Sequence, residues 1–370
     1  MQKILLFIAS LFYFNFLFSK NEIKSWQGIH ETPLSRLEQQ FAEPPVEFAN
    51  HVIWGWEGKM DKKTICNDLD SIKKKGFRAV IFEAGYKLPF KYLSEEWFKA
   101  IRTGVVEAKK RDMKVWIIDE GKYPSGFAGG KFSQERPDLR MQALVIGDTI
   151  QIKRGEVMTN HKIAPEIISA VAVSTSGAPN RTVEINNGKI SFNAGLDDWK
   201  ILLVKSDFRT AVTRAVNNPN GGKDATNSLC DYLNPVAVQQ FIDWTHKQYK
   251  KYLGKELGTT VLGFRGDEPD YAHLPWTPSI VQTFKDTKGY DPTPYLASFF
   301  TASPTIQEQR VKADYWDVWS SLFATHFFKL QADWCAANGV AHITHLNKEH
   351  EMPACVKAEG DYFRALSKRS

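Results

Sequence analysis

Short apolar runs alternate with amphipathic stretches along most of this 370-residue chain. The runs at 51–54, 78–82 and 114–118 are continuously apolar over most of their length, and stretches of helical period separate them. Ser94 can cap the helix between the second and third runs. Continuous runs of this kind are typical of parallel strands that are covered on both faces. Their repetition as strand–helix–strand units therefore predicts an α/β sheet or barrel.

The same rhythm returns in the second half of the chain. Asn234 and Pro235 are suited to cap and begin a helix that extends to about Tyr252. Strands are predicted at 260–264 and 340–344, and a long helix is predicted from about Val311 to Asn338. These units number five, whereas a (β/α)8 TIM-type barrel has eight. Either further units are hidden in the irregular middle of the chain, or the barrel is incomplete at its C-terminus, and the second interpretation is favoured.

The middle of the chain has no helical period and contains short β-like pieces instead. Asn186-Asn187-Gly188 is typical of a hairpin turn. We therefore predict a small β-rich insertion at 140–222. It would separate the first part of the barrel, 20–139, from the second part, 223–370.

The N-terminus has the pattern of a secretory signal peptide. Lys3 precedes an apolar run from Ile4 to Phe18, and the chain then becomes polar. The run, at about 15 residues, is shorter than the roughly 20 that a membrane-spanning helix needs. We predict a signal peptide at 1–19, a secreted or periplasmic protein, and no stable membrane span after cleavage. An uncleaved anchor is the alternative.

Charge and cysteine spacing exclude several classes of protein. The net charge is +6, but the lysines are scattered and form no basic stripe, so nucleic acid is not an expected partner. The four cysteines are far apart and form no CxxC pair, which argues against a zinc site and against a disulfide scaffold. One or two disulfide bridges stay open as an alternative.

Motifs for cofactors and for other enzymes are also missing. No GxGxxG follows a predicted strand, and Gly126–Lys131 is one residue too short for a phosphate-binding loop. Neither a nucleotide nor a flavin is therefore expected. His345–His350 is one residue too long for an inverted zinc-peptidase motif.

Acidic and polar residues follow the predicted strands, at the edge where a parallel barrel carries its functional groups. The candidates are Glu83, Asp119, Glu120, Asp267, Glu268, His345, Asn347 and Glu349. Any single acid could be a solvated loop residue or a helix cap. Together they suit glycoside hydrolysis, in which one carboxyl group protonates the leaving oxygen and a second activates water or attacks the sugar.

Two tryptophans precede this series on the first strand. Trp54 and Trp56 alternate with Gly55, so they share one face of the strand. They could form the floor of a sugar-binding site, or they could fill the core, where aromatic side chains are common.

Several of these segments together resemble one family. They are 54–56, 115–120, 123–130, 231–235, 267–269, 345–349 and 360–363. In combination they are similar to glycoside hydrolase family 106, the α-L-rhamnosidase-like enzymes. The resemblance implies a (β/α)8 barrel, an inverting mechanism, and calcium at the sugar site, with ligands that the sequence does not identify.

The same resemblance implies roles for two carboxyl groups. Glu268 would be the general acid and Glu349 its partner, the general base. Trp54, Trp56, Glu83, Asp119, Glu120, Asp267, His345 and Asn347 would then contact an oligosaccharide or polysaccharide substrate. A retaining glycosidase of a related barrel family is one alternative, with carboxyl groups about 5 Å apart rather than ~6.5–9.5 Å. A non-catalytic glycan-binding or remnant protein is another.

Overall fold

The computed structural model describes residues 33–42 and 50–367, apart from 122, 211–212, 215–222, 225–227 and 272–273. The chain divides into two units, Met1–Asn50 and His51–Ser370. In the first unit the structure describes one helix, α1 (Leu34–Ala42). The predicted signal peptide lies outside the described residues. Among the helices that are described, none has the length and apolar character needed to span a bilayer.

A parallel sheet organises the second unit. In the described residues it has five strands, in the order β1-β2-β3-β12-β14. They are β1 (His51–Trp56), β2 (Ala79–Ala84), β3 (Lys114–Ile118), β12 (Val261–Asp267) and β14 (Ala341–His345). Every neighbouring pair is parallel. The predicted mixed α/β architecture with a parallel sheet is therefore confirmed.

Helices follow the strands in the chain, and two of them begin at capping residues. They are α2 (Lys62–Lys74), α3 (Glu95–Lys110), α4 (Lys131–Glu135), α5 (Pro235–Trp244), α6 (His246–Leu253), α7 (Ile280–Lys288), α8 (Ile306–Phe323), α9 (Leu330–Ala337), α10 (Met352–Glu359) and α11 (Tyr362–Ser367). The side chains of Ser94 and Asn234 accept hydrogen bonds from backbone N–H groups in the first turns of α3 and α5. Both residues are thus N-caps, as their types and positions predict.

The predicted long helix of 311–338 begins earlier and is interrupted. Thr305 and Glu308 form a capping box that starts α8 at Ile306. A π-helical segment, Ala324–Lys329, then separates α8 from α9. A second predicted helix, 235–252, divides at Thr245, whose backbone leaves the helical region.

The two faces of the parallel sheet differ. Trp56, Phe82 and Phe264 are fully buried in a core that the sheet shares with α2, α3 and α6. Residues that alternate with them point to the other face. There Ile53 is 49% exposed and Ile343 is 37% exposed.

The middle segment forms antiparallel sheets, which in the described residues are one of five strands and two of two strands. Its strands are β4 (Gln142–Ile152), β5 (Val157–Lys162), β6 (Ile167–Ser174), β7 (Arg181–Thr182), β8 (Lys189–Asn193), β9 (Trp199–Phe208), β10 (Thr213–Arg214), β11 (Lys223–Asp224) and β13 (Pro275–Trp276). The main sheet has the order β13-β4-β9-β6-β7, so β13 contributes from far along the chain. Asn187 and Gly188 have positive φ angles, as the predicted hairpin turn requires.

The cysteines do not pair. Cys66, Cys230, Cys335 and Cys355 all lie in the described residues and are free thiols.

Candidate active site

The candidate site lies at the C-terminal ends of β12 and β14. Asp267 is the last residue of β12 and is paired in register with His345, the last residue of β14. Because paired residues of parallel strands point to the same face, the two side chains lie together. Glu268 and Glu349 follow these strand ends in the chain.

The imidazole of His345 links three of the predicted acids. Its Nδ1 lies 3.3 Å from Oδ1 of Asp267 and 3.7 Å from Oε1 of Glu268. Its Nε2 lies 3.4 Å from Oε1 of Glu349. The side chains of Glu268, Glu349 and His345 are 29%, 41% and 43% exposed. A solvent-borne ligand can therefore reach all three.

The two glutamates have pKa values displaced in opposite directions. Burial raises the pKa of Glu268 above its usual range, and the charge of Asp267 raises it further, while His345 opposes both. A hydrogen bond from its own backbone N–H lowers the pKa of Glu349, and His345 lowers it further. One carboxyl group is therefore biased towards the protonated form and the other towards the ionised form.

The backbone of Glu268 is held in an unusual conformation. Its φ is +44°, in the left-handed region that a non-glycine residue rarely adopts. Its N–H donates to the carbonyl oxygen of His345 at 2.9 Å. Strained backbone of this kind concentrates at functional sites.

Arg265 adds a positive charge that the sequence analysis did not select. It lies on the same face of β12 as Asp267, and its Nη1 lies 2.9 Å from Oδ1 of Asp267. Asp267 is thus shared between the guanidinium and the imidazole of His345. Arg265 lies two residues before Asp267 in the sequence, and this position on the same strand face could have identified it as a site residue.

Asp119 lies inside the protein rather than at the site surface. Its side chain is fully buried, and Oδ1 accepts a hydrogen bond from Oγ of Ser125 at 2.6 Å. Oδ2 has no hydrogen-bond partner among the described residues. Burial raises the pKa of Asp119 to about 7, against the Ser125 hydrogen bond. A direct sugar contact by this residue, as predicted, does not fit its burial.

Glu120 is also buried and anchors the following loop. Its carboxylate accepts hydrogen bonds from the backbone N–H groups of Gly121 and Gly129, at 2.7 and 3.0 Å, and from that of Ala128. Burial raises its pKa to about 8. The predicted role in sugar binding therefore does not fit this residue either, because its oxygens are used within the loop.

The tryptophan pair belongs to the core between the sheet and the helices. Trp56 is fully buried, and its ring centroid lies 4.9 Å from that of Phe82 and 5.7 Å from that of Trp97. Trp54 contacts Trp56 edge-on at 5.3 Å. The geometry favours core filling over a sugar-binding floor, because the helices cover this face.

Glu83 and Asn347 lie at the edge of the site. Glu83 is half-buried and pairs in register with Gly55, on the face of the sheet that carries Arg265 and His345. Nδ2 of Asn347 donates to Oδ2 of Asp270 at 2.9 Å, and its backbone N–H donates to Glu359. Asn347 therefore fixes the turn between His345 and Glu349.

The site provides no ready cage for a metal. Across the described ranges, no group of three or more His, Cys, Asp or Glu side chains is arranged to hold a metal ion. The carboxylates of Asp267, Glu268 and Glu349 are directed at one imidazole, whereas Ca²⁺ takes six to eight oxygen ligands. Among the described residues, these three carboxylates by themselves do not make up a calcium site.

A parallel sheet with two reachable carboxyl groups at its C-terminal edge supplies the pair of groups that glycoside hydrolysis needs. The chain belongs to glycoside hydrolase family 106, described as α-L-rhamnosidase, whose model matches residues 163–360. That range includes Asp267, Glu268, His345 and Glu349, and it covers more than half of the chain.

Two known proteins are similar to this chain. The rhamnosidase of Novosphingobium sp. PP1Y has a solved structure that matches with a TM-score of 0.65 at 15% identity, over 92% of this chain and 49% of that chain. A Formosa agariphila protein named "Putative beta-glucuronidase" is 23% identical over 360 residues, or 83% of this chain and 30% of that protein. The chain thus spans about half of the first and less than a third of the second.

Proposed function

We propose that this glycosidase releases terminal sugars, foremost α-L-rhamnosides, from complex glycans by an inverting mechanism with two carboxyl groups. The observation that carries the proposal is the pair Glu268 and Glu349, placed on opposite nitrogens of one imidazole with pKa values displaced in opposite directions. Such divergence is how one site maintains an acid and a base at the same pH.

Glu268 is the general acid in this proposal. Its raised pKa keeps a proton available for the leaving glycosidic oxygen. Glu349 is the general base, because its lowered pKa keeps it ionised and able to take a proton from the attacking water. His345 lies between them and contacts both.

The placement of the two carboxyl groups favours inversion over retention. Oε1 of Glu268 lies 3.7 Å from Nδ1 of His345 and Oε1 of Glu349 lies 3.4 Å from Nε2, so the imidazole stands between the two carboxyl groups. Inverting enzymes have carboxyl groups ~6.5–9.5 Å apart, which leaves room for a water molecule.

The (β/α)8 barrel remains part of the proposal. The partly exposed Ile53 and Ile343 lie on one face of the five-stranded sheet. In a closed barrel this face would be the packed interior. The secreted or periplasmic location is likewise proposed, from the N-terminal pattern, and mass analysis of the exported protein would show whether 1–19 is removed.

The substrate is tested with a panel of aryl glycosides. It includes the α-L-rhamnoside and, because one relative is named for it, the β-glucuronide. We expect the α-L-rhamnoside to be cleaved. Glu268→Gln and Glu349→Gln should each lose activity by more than about 100-fold, because acid–base groups typically contribute ~10²–10⁴-fold.

Controls and product analysis make this test specific. Glu351→Gln removes an exposed carboxylate from the same segment and should leave activity unchanged. Proton NMR of the first product should show the inverted anomer, whereas the retained anomer would favour the retaining alternative. A folded wild-type chain that binds sugar without turnover would support the non-catalytic alternative.

Calcium dependence is proposed from the family and is tested by chelation. Loss of activity in chelator that added Ca²⁺ restores would support calcium dependence. Full activity in chelator, unchanged by added Ca²⁺, would overturn it.

A further inference from the structure

Ser125 is joined to the end of β12 by a closed pair of hydrogen bonds. Its backbone N–H donates to the carbonyl oxygen of Asp267 at 2.8 Å. In return, the N–H of Asp267 donates to Oγ of Ser125 at 2.7 Å. The loop after β3 is thereby tied to the residue that directly precedes Glu268.

Asp119 fixes the orientation of the Ser125 hydroxyl. Oγ of Ser125 donates its only proton to Oδ1 of Asp119 at 2.6 Å, so its lone pairs stay available for the N–H of Asp267. The carbonyl oxygen of Ser125 accepts a hydrogen bond from the buried hydroxyl of Tyr232. Every polar group of Ser125 is therefore engaged.

This arrangement immobilises the peptide unit between Asp267 and Glu268. Its carbonyl oxygen accepts from Ser125, and its N–H donates to the carbonyl oxygen of His345 at 2.9 Å. The plane is thus held at both ends. This plane forms one side of the N–Cα bond about which Glu268 has its φ of +44°, so fixing it removes one of the two freedoms by which Glu268 could leave that conformation.

We propose that Asp119 and Ser125 are positioning residues that hold Glu268 in the geometry needed to protonate the leaving oxygen. Both are fully buried, so they act through the backbone of Asp267 and not by touching the sugar. This inference rests on the proposed function, because it assigns Glu268 its role through that function.

The test compares substitutions in the full chain by kinetics and by hydrogen exchange. Ser125→Ala should lower kcat about 10- to 100-fold with KM within about twofold, because a displacement near 1 Å can cost ~10²-fold in rate. It should also raise amide exchange in the peptide containing Asp267. Ser125→Cys keeps a weak donor, so its kcat and amide exchange should lie between those of wild type and Ser125→Ala. It replaces the alanine variant in this test if that variant does not fold.

The role of Asp119 is tested with two substitutions that remove its hydrogen-bonding capacity to different extents. Asp119→Asn keeps a carbonyl oxygen for the Ser125 hydroxyl, so kcat should fall less than in Asp119→Ala. The matched control is Ser133→Ala. Ser133 accepts a comparable bond from the N–H of Ser228 at 3.0 Å, away from Glu268, so its loss should change neither kcat nor exchange at Asp267.

The outcomes separate this inference from the function on which it rests. An unchanged kcat in a folded Ser125→Ala or Ser125→Cys variant would overturn the positioning role while wild-type turnover stands. Equal losses of kcat in Ser125→Ala and Ser133→Ala would also overturn it. A folded wild-type chain without turnover would overturn the proposed function, and the exchange difference at Asp267 would then report only the hydrogen bonds.

Discussion

His345 is the residue on which the electrostatics of the site depend. It lies within 3.7 Å of three carboxylates and lowers the pKa of both Glu268 and Glu349. Asp267, Asp270 and Glu349 act on Glu268 in the opposite direction. The pH dependence of the reaction should therefore respond to His345.

Replacing His345 with Asn should move the whole pH–rate profile of kcat/KM to higher pH. Loss of the imidazole raises both pKa values, so Glu349 ionises later on the acidic side and Glu268 stays protonated longer on the basic side. His350 lowers the pKa of Glu349 and is not among the largest influences on that of Glu268. His350→Asn should thus move only the acidic limb, and a His345→Asn profile that moves on one side alone would contradict this view.

Asp119 should make stability depend on pH. Burial raises its folded-state pKa to about 7 from the ordinary 3.8. Between these values the unfolded chain has released the proton that the folded protein keeps. The contribution of protonated Asp119 to the free energy of unfolding is therefore fully present below the unfolded-state pKa and is lost as the pH rises towards 7.

Asp119→Asn has no such titration. We therefore expect its free energy of unfolding, relative to wild type, to increase between pH 4 and pH 8, measured by urea unfolding at each pH. Glu120 titrates in both proteins, but the charge of Asp119 raises its pKa, so the difference between the two proteins includes this coupling. A difference that stays constant across the range would show that Asp119 is ionised when buried.

At the scale of the element, strand β12 depends on the absence of a side chain at Gly263. A Cβ there would lie 2.1 Å from the carbonyl oxygen of Ala341 and 2.6 Å from the ring of Trp116. Both neighbours belong to the strands that flank β12. Without a small residue at this position, the ends of β12 and β14 could not bring Asp267 and His345 together.

Gly263→Ala should lower the free energy of unfolding by roughly 1–3 kcal/mol or more, because a backbone carbonyl has to move. Gly55→Ala is the matched control on β1, where a Cβ would meet Oε2 of Glu83 at an ordinary 3.5 Å. We expect that control to change stability by less than about 1 kcal/mol. Similar chemical-denaturation midpoints for the two variants would contradict the argument.

At the scale of the whole molecule, β9 joins the antiparallel sheet to the helical half. Leu202 and Val204 pack into the core that contains Trp319 and Phe323 of α8. Ile201 and Leu203, which alternate with them, pack into the core of the antiparallel sheet itself. Both faces of this strand are therefore buried in different cores.

Leu202→Ala should lower the free energy of unfolding by about 2–5 kcal/mol, the usual range for a buried leucine. Because the shared core connects the sheet to the helices, tryptophan fluorescence and far-ultraviolet circular dichroism should report one coincident transition. Separate transitions by the two probes would show that the sheet unfolds independently.

Local patterns in the sequence were sufficient for the parallel sheet. The five strand segments at 51–54, 78–82, 114–118, 260–264 and 340–344 all lie largely within observed strands. Ser94, Asn234 and the Asn187-Gly188 turn also act as their residue types predict. These features depend on backbone preferences within a few residues, so the sequence carries them directly.

The candidate site was predictable only in part. The position after a strand correctly brought Asp267, Glu268, His345 and Glu349 to one edge, because parallel strands end together. The same rule could not separate them from Asp119 and Glu120, which also follow a strand but are buried. Burial depends on the loop that folds over β3, and no local pattern specifies that loop.

The amino-acid sequence by itself determined the α/β rhythm, the helix caps and the set of acids at the strand ends. The tertiary structure alone decided that Trp54 and Trp56 pack under helices, that Ser125 holds the peptide before Glu268, and that His345 faces two glutamates at once. The physical reason is the distance along the chain over which each effect acts. Propensity and periodicity act over a few residues, whereas burial and contacts such as Ser125–Asp267 and Glu268–His345 join parts of the chain that are far apart in sequence.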